Sequence, residues 1–457
     1  MEQVSAFPSS ADTVVALSTP YGTGGIAVVR LSGPDALQII GKCWIGKELT
    51  SIGSHTAHLG WITDEENERL DNVVLTLFRA PNSFTGEDVV EISCHGSVWL
   101  QQAIVNRLVG CGARVAEGGE FTRRAFMNGR LDLAQAEAVA DMIAASSKAA
   151  ARLAASQMKG AFSQKLNELR GQLVDLGSLL ELELDFAEEE VEFADRARLL
   201  QVSRDVRDVV GRLAESYKSG SVFKNGVPVV IAGRPNVGKS TLLNALVDDE
   251  KAIVSPIPGT TRDIIEETVE INGILFRFFD TAGLRSTADP IESIGVERAR
   301  KKLLEASIIL FLSDDTAEDL TKFLPAEIQL NSDSTIIKVL TKGDLLTGDK
   351  VGEGFDFIVS AKTGEGLANL KNTLVKAVSS DFNPQQELIV TNARHYESLT
   401  KASEALDRMI MALHDGVPTD FVAQDLREAT HHLGAITGAV TSDDILHTIF
   451  SRYCIGK

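Results

Sequence analysis

No run of about 18 apolar residues occurs in the 457-residue chain, so no membrane-spanning helix is expected. The opening residues, MEQVSAFPSSADTV, lack a basic region followed by an apolar core. That excludes a secretory signal and makes the cytoplasm the expected compartment. Cysteine is sparse. Cys43, Cys94, Cys111 and Cys454 are scattered without a CxxC pair, which argues against a zinc site or disulfide framework and for free thiols in a reducing compartment. Basic residues are in deficit, 45 against 64 acidic, for a net charge of −19. Gripping nucleic acid needs clustered Lys and Arg to neutralise phosphates, so if RNA is involved a basic partner is expected to do much of the gripping.

What is present is globular: 44% apolar residues in a chain long enough for two to four domains. Residues 1 to about 118 read as mixed α/β, with strand-like runs at Val14 to Ser18, Gly25 to Ser32, Asp71 to Phe78 and Glu87 to Ser93. Pro34 to Cys43 and Val98 to Val109 read as helices. From 119 to 220 Ala, Leu, Glu and Arg dominate at helical spacing, which predicts several long helices, with the acidic run Glu188 to Glu190 a solvated helix end or loop. Strand texture returns over 221–380, and 381–457 is again helical. The last piece is short for its own core. We therefore expect one discontinuous helical domain with the 221–380 domain inserted, the alternative being two separate helical domains.

The strongest motif is GRPNVGKS, Gly233 to Ser240, between an apolar strand (Val227 to Ala232) and an apolar helix beginning at Thr241. Strand, glycine-bounded loop and helix are the setting of a phosphate-binding P-loop. Backbone N–H groups around Asn236, Val237 and Gly238 can turn inward on a phosphate chain, Lys239 reaches the outer phosphates, and Ser240 can hold Mg²⁺. The helix N-terminus adds a field favourable to anions. Alone, this loop suits an ATPase or kinase equally well.

Four further motifs point to guanine. GTTR, Gly259 to Arg262, supplies Thr260 and, best placed for Mg²⁺ and γ-phosphate, Thr261. DTAG, Asp280, Thr281, Ala282 and Gly283, ends the run ILFRFFD; its Asp reaches Mg²⁺ through water and its Gly N–H senses the γ-phosphate. TKGD, Thr341, Lys342, Gly343 and Asp344, follows TIIKVL and offers a carboxylate for the two guanine N–H groups. SAK, Ser360, Ala361 and Lys362, follows FDFIV and can present a backbone N–H to the guanine carbonyl. Each is weak alone; all in order, each in its strand or loop setting, are not a coincidence. Together they resemble the G domain of translation-factor-class GTPases, and the Asn272-Gly273 turn fits that class. One position departs: Thr341 stands where the family pattern has Asn, which there braces the P-loop and contacts the base. Guanine selectivity through Asp344 is expected to persist, with weaker affinity.

Ras-like GTPases orient the attacking water with a Gln directly after DxxG. Here that residue is Leu284, which has no hydrogen-bonding group. Either an external activator is needed or the catalytic group lies elsewhere, and Glu292, before the helical run SIGVERARKKLLEA, is the candidate. The Asn236 carbonyl can ligate a monovalent cation beside the phosphates, replacing the charge of an arginine finger; the plainer reading is a tolerated loop residue.

Over nearly its whole length the chain resembles the MnmE (TrmE) family of tRNA-modification GTPases, in the TrmE-Era-EngA-YihA-Septin-like superfamily. The residues that carry this are FTGEDVVE (Phe84 to Glu91), NGRLDLAQAEAVADMI (Asn128 to Ile143), GRPNVGKSTLLN, PGTTRD, DTAGLR, IGVERA and CIGK (Cys454 to Lys457). The resemblance implies a multidomain α/β protein with an α+β folate-binding and dimerising domain over 1–118, a discontinuous α-helical domain over 119–220 and 381–457, and an inserted Ras-like P-loop G domain over 221–380. It implies a homodimer joined to the FAD-containing partner MnmG (GidA) in an α2β2 assembly acting on tRNA. The product carries an aminomethyl or carboxymethylaminomethyl group at carbon 5 of the wobble uridine, the carbon coming from 5-formyl- or 5,10-methylene-tetrahydrofolate. GTP hydrolysis is implied to need Mg²⁺ and K⁺ and to be stimulated when two G domains approach. By matching, Asn236, Ser255, Ile257 and Thr260 fall on K⁺ ligands, Ser240 and Thr261 on Mg²⁺ ligands, and Glu292 on the catalytic Glu. Arg30, Glu91, Arg130 and Lys457 fall on folate contacts. Arg130 stands where relatives often carry Lys, a planar fork for a point charge. Cys454 falls on a cysteine needed for modification, without an assigned role.

Without the resemblance, Arg30 and Glu91 read equally as a surface pair. Gly22 to Gly25, GTGG, precedes a strand rather than a helix and so reads as a turn, not a dinucleotide fingerprint. His95, His431 and His432 read as surface or capping residues. Cys454 lies between Arg452 and Lys457, cations that favour thiolate. Two rivals remain open: a ribosome-assembly switch, which predicts a basic RNA-binding module, and a folate-dependent one-carbon transferase merely regulated by GTP.

Overall fold

The structure, a computed structural model, describes residues 12–185, 195–249, 266–280, 301–316, 334–345, 354–379, 388–451, 453 and 456. The chain forms two compact units, one of Met1–Ala140, Ser163–Phe193 and Leu426–Lys457, the other of Asp141–Phe162 and Ala194–Asp425. Residues on both sides of 221–380 are therefore shared between the two units.

The first unit is built on a seven-stranded sheet: β1 (Val14–Leu17), β2 (Ile26–Ser32), β3 (Trp44–Ile45), β4 (Thr56–Thr63), β5 (Arg69–Phe78), β6 (Val89–His95) and β7 (Arg114–Val115), in the order β3-β4-β5-β6-β2-β1-β7. The strands expected from sequence are there, within a few residues. All pairings are antiparallel except β1 with β7. Alternation along β5 sends Val73, Leu75 and Leu77 into the core, where they join Val90, Ile92 and Cys94 of β6. Helices Ala36–Gly41 and Val98–Gly110 cover that face with Ile39, Ile40, Ile104 and Leu108. Each such fully buried side chain contributes about 1.5–3 kcal/mol. GTGG lies in the non-helical connection from β1 to β2: Gly24 N donates to Gly96 O at 3.0 Å, and a Cβ on Gly96 would strike the Gly24 carbonyl.

A buried ion network ties Asp12, which precedes β1, and Arg114 of β7 to the helix Glu120–Met127. The Glu120 carboxylate, 1% exposed, accepts from Arg114 Nη2 at 2.6 Å, Arg124 Nη2 at 2.9 Å and the Glu117 N–H at 2.8 Å. Burial alone would raise its pKa, but the hydrogen bonds, led by Arg114, outweigh burial and hold the group below the usual carboxylate range. A depressed pKa stabilises the fold above the unfolded-chain value, about 4.3, and that contribution disappears as pH falls through the lower folded value. Glu120→Ala leaves the Arg114 and Arg124 charges without this carboxylate and is expected to destabilise the unit by about 3–5 kcal/mol in a denaturant titration. A change under about 1 kcal/mol would contradict the network's role.

The second unit holds a six-stranded sheet: β8 (Val227–Gly233), β9 (Glu266–Ile271), β10 (Ile274–Asp280), β11 (Ile308–Ser313), β12 (Thr335–Leu340) and β13 (Phe357–Ile358), in the order β13-β12-β11-β8-β10-β9. It is parallel except for β9–β10. That hairpin turns on Asn272 and Gly273, whose φ angles of 52° and 86° are the left-handed pair a two-residue turn requires. β8 and β11 are near-continuous apolar runs because both faces of a parallel sheet are covered. Leu242, Leu243 and Leu246 of helix Lys239–Asp249 and Leu370 and Leu374 of helix Leu367–Ser379 pack one face. In the same unit, helix Arg196–Glu215 lies along helix Ala393–His414, with Arg207 Nε donating to Asp407 Oδ1 at 2.8 Å.

Candidate GTP and folate sites

β8 runs mid-sheet and delivers the phosphate loop at its C-terminal end. Gly233 sits at φ 154°, and a Cβ there would strike the Leu312 carbonyl of β11, so the loop can leave the sheet only through glycine. Asn236 (φ 63°) and Gly238 (φ 102°) are both left-handed, the backbone geometry that curls successive N–H groups toward an anion. Lys239 is buried and arches back over the loop, its Nζ donating to the Gly233 carbonyl at 3.1 Å. Ser240 and Thr241 are exposed in the first turn of the helix Lys239–Asp249.

The TKGD loop, the candidate guanine loop, meets this loop directly. Thr341, buried at the end of β12, places its hydroxyl 2.6 Å from the Val237 carbonyl of the phosphate loop and 3.1 Å from the Ser313 carbonyl of β11. The reach expected to be lost with Asn is thus sufficient for the brace. Lys342 follows in a left-handed conformation (φ 56°), with its ammonium 2.6 Å from Asp314 Oδ2. That contact, first among the causes, holds the Asp314 carboxyl below the usual range. The Gly343 N–H donates to the Val359 carbonyl, and Ser360 Oγ donates to Asp344 Oδ1 at 2.8 Å, orienting the carboxylate. A cavity of about 210 Å³ is lined by Gly238, Thr241 and Leu242 together with Thr341, Lys342, Asp344, Ala361 and Lys362. Residues more than 120 positions apart in sequence thereby wall one space.

Asp280 ends β10 in register with Ile231 of β8, beside the strand that feeds the loop. Ser255, Ile257, Thr260, Thr261, Thr281, Ala282, Gly283, Leu284 and Glu292 lie outside the described residues, as do Cys454 and Lys457. Among the described residues no cluster of three His, Cys, Asp or Glu side chains could hold a metal ion. The three described cysteines are free and buried, and burial pushes the Cys43 thiol up to about 12 and Cys94 to about 11. His95 pairs with Asp71 at 2.7 Å and is largely exposed.

In the first unit, Arg30 of β2 and Glu91 of β6 are cross-strand partners, and the guanidinium Nε and Nη2 both donate to Glu91 Oε1, at 3.0 and 2.8 Å. The pair is partly buried, with Arg30 5.5 Å from the ring centres of both Phe84 and Phe121. Arg130 joins through the same loop: a Cβ on Gly86 would lie 3.2 Å from its Cγ. Gly456 packs on the end of β1, where Ser18 Oγ donates to its carbonyl at 3.2 Å and a Cβ would strike the Leu17 carbonyl. Ala16, one residue before Leu17, is the β1 partner of Arg30.

Motif reading missed the supports. Ser313 and Asp314 carry the guanine loop, and Ser32 fixes the Phe84–Gly86 loop through Thr85 Oγ1 and Glu87 Oε2, each 2.7 Å away. These are ordinary polar residues at strand ends, with no spacing signal to mark them.

Residues 133–454 match the MnmE helical domain model, and residues 13–130 match the model for the N-terminus of the GTP-binding protein TrmE. The tRNA modification GTPase MnmE of Cytophaga hutchinsonii is 47% identical over 98% of this chain and 98% of its own. That of Parabacteroides distasonis is 47% identical over 97% and 100%, and that of Flavobacterium johnsoniae 45% over 98% and 99%. Among solved structures, the G domain of the T. maritima FeoB iron transporter is 29% identical over 33% of this chain and 98% of its own, with a TM-score of 0.26. With a phosphate loop and guanine loop on one cavity and full-length relatives of a single kind, the chain belongs to the MnmE family of tRNA modification GTPases.

Proposed function

We propose that the chain is a K⁺-dependent, dimerisation-activated GTPase that works in the cytoplasm with a flavin-bearing partner of the MnmG type. As an α2β2 assembly the two add a carboxymethylaminomethyl or aminomethyl group to carbon 5 of the tRNA wobble uridine. The observation that carries the GTPase half is the cavity where Thr341 locks the phosphate loop to the guanine loop. The backbone nest around Asn236 and Gly238 and the Lys239 ammonium hold the phosphates; Lys342 and Asp344 hold the base. Ser240, with Thr261, would hold Mg²⁺, whose charge would offset that of the phosphates. Asn236, exposed and left-handed at the loop crest, supplies with Ser255, Ile257 and Thr260 the ligands for K⁺, an ion that adds positive charge where charge develops on the phosphates. Glu292 takes the role that Leu284 cannot, orienting the water.

Residues 1–118 form the dimerising domain that binds tetrahydrofolate, the source of the one-carbon unit. A folate has a flat hydrogen-bonding ring and a carboxylate tail. The aromatic-flanked Arg30–Glu91 pair and the Arg130 cation suit both parts, with Lys457 as a further folate contact. Residues 119–220 and 381–457 form one helical domain interrupted by the G domain at 221–380, a reading supported by the packing of helix Arg196–Glu215 on helix Ala393–His414. No described helix is long and apolar enough to cross a membrane.

The direct test is the cation. Hydrolysis of GTP is expected to run at least about tenfold faster in K⁺ than in Na⁺ at equal ionic strength, and Asn236→Ala is expected to flatten that ratio. Equal wild-type rates in the two salts would remove K⁺ from the mechanism.

A further inference from the structure

We propose that Thr341 is a lock on the phosphate loop that leaves the imidazole edge of guanine unread, so that this chain recognises the base by its N1, N2 and O6 positions and is indifferent to N7. The inference rests on the guanine-site reading above. A threonine hydroxyl has one proton. Two acceptors lie within its reach, the Val237 carbonyl at 2.6 Å and the Ser313 carbonyl at 3.1 Å, and both belong to the protein backbone. Whichever carbonyl takes it, the proton points inward and joins the end of β12 to the phosphate loop or to β11. The side chain also lies against the second glycine of the loop: the ideal Cβ position of Gly238 is 4.0 Å from both Cβ and Oγ1 of Thr341.

The base fixes the rest by its own order of atoms. Around its polar edge run N2, N1, O6 and N7. With the Asp344 carboxylate on the N2 and N1 hydrogens and the Ala361 N–H on O6, N7 comes next, toward the part of the cavity lining where Gly238 and Thr341 meet. N7 is an acceptor and calls for a donor. An asparagine amide has two protons and can brace the loop and reach N7 together; Thr341 has only the one, already engaged. Position 341 thus sets how much of the base is read.

Binding of GDP and 7-deaza-GDP, in which a C–H replaces N7, tests this. Wild-type protein is expected to bind the two within twofold. T341N is expected to gain a preference for GDP of about threefold to tenfold, the net worth of one neutral hydrogen bond. T341V, which removes the hydroxyl at nearly constant shape, is expected to weaken both nucleotides by a similar factor and leave their ratio within twofold. A wild-type preference for GDP above twofold would overturn the proposal, and so would a T341N ratio no different from wild type. Should T341N fail to fold, T341V decides: a shift of its ratio beyond twofold means that the hydroxyl touches N7 and the proposal falls. Failure of the underlying site reading looks different, because Asp344→Asn would then leave the preference for GDP over XDP untouched.

Discussion

Asp344→Asn is expected to turn a guanine site into a xanthine site, weakening GDP by at least about a hundredfold and strengthening XDP. Guanine presents two donors on this edge, N1–H and the N2 amino group, and an ionised carboxylate offers only acceptors, so the pairing is charge-assisted twice. Xanthine replaces the amino group with a carbonyl, leaving an acceptor facing a carboxylate. An amide at position 344 reverses the mismatch: its NH₂ donates to the new carbonyl, and its oxygen still accepts from N1–H. The substitution should not disturb the fold, because Ser360 Oγ, 2.8 Å from Asp344 Oδ1, can donate to an amide oxygen as well. Nucleotide titrations with GDP and XDP check this. Unchanged selectivity would mean that the base is held elsewhere.

Glu292→Ala is expected to act on the other half of the reaction. Nucleotide affinity should stay within about twofold while kcat falls by about 10²–10⁴, the usual contribution of a positioned acid–base group. The residue after DTAG is Leu284, which can neither donate to nor accept from a water, and Glu292 is the nearby carboxylate in the motif before IGVERA. A group that acts only in the transition state lowers kcat without moving ground-state binding. Single-turnover hydrolysis measured beside fluorescent-nucleotide binding separates the two. Full turnover in the variant would return the water to another residue.

Much of this was readable from the chain because its motifs are local. The Gly233 to Ser240 loop, the β-strands that precede DTAG, TKGD and SAK, and the Asn272-Gly273 turn each bring their geometry with them: a glycine where a Cβ would hit Leu312, left-handed residues where the loop curls, an apolar run where a parallel strand is buried. What could not be read is contact between segments. Thr341 looked like a weakened Asn because residue type carries no information about its distance to Val237. Glu120 and Arg124 are ordinary charged residues at i, i+4 spacing; only the approach of Asp12, Glu87 and Arg114 makes them a buried network. The Arg30–Glu91 pairing depends on the register of β2 against β6, which lie 61 residues apart in sequence at that pair.

The modified nucleosides of tRNA from cells that lack this chain test the proposed activity most directly. Liquid chromatography with mass spectrometry should find the wobble uridine without its aminomethyl or carboxymethylaminomethyl group at carbon 5, and restored by the wild-type chain but not by Glu292→Ala. Wobble uridines that keep the full modification in the absence of the chain would contradict the assignment.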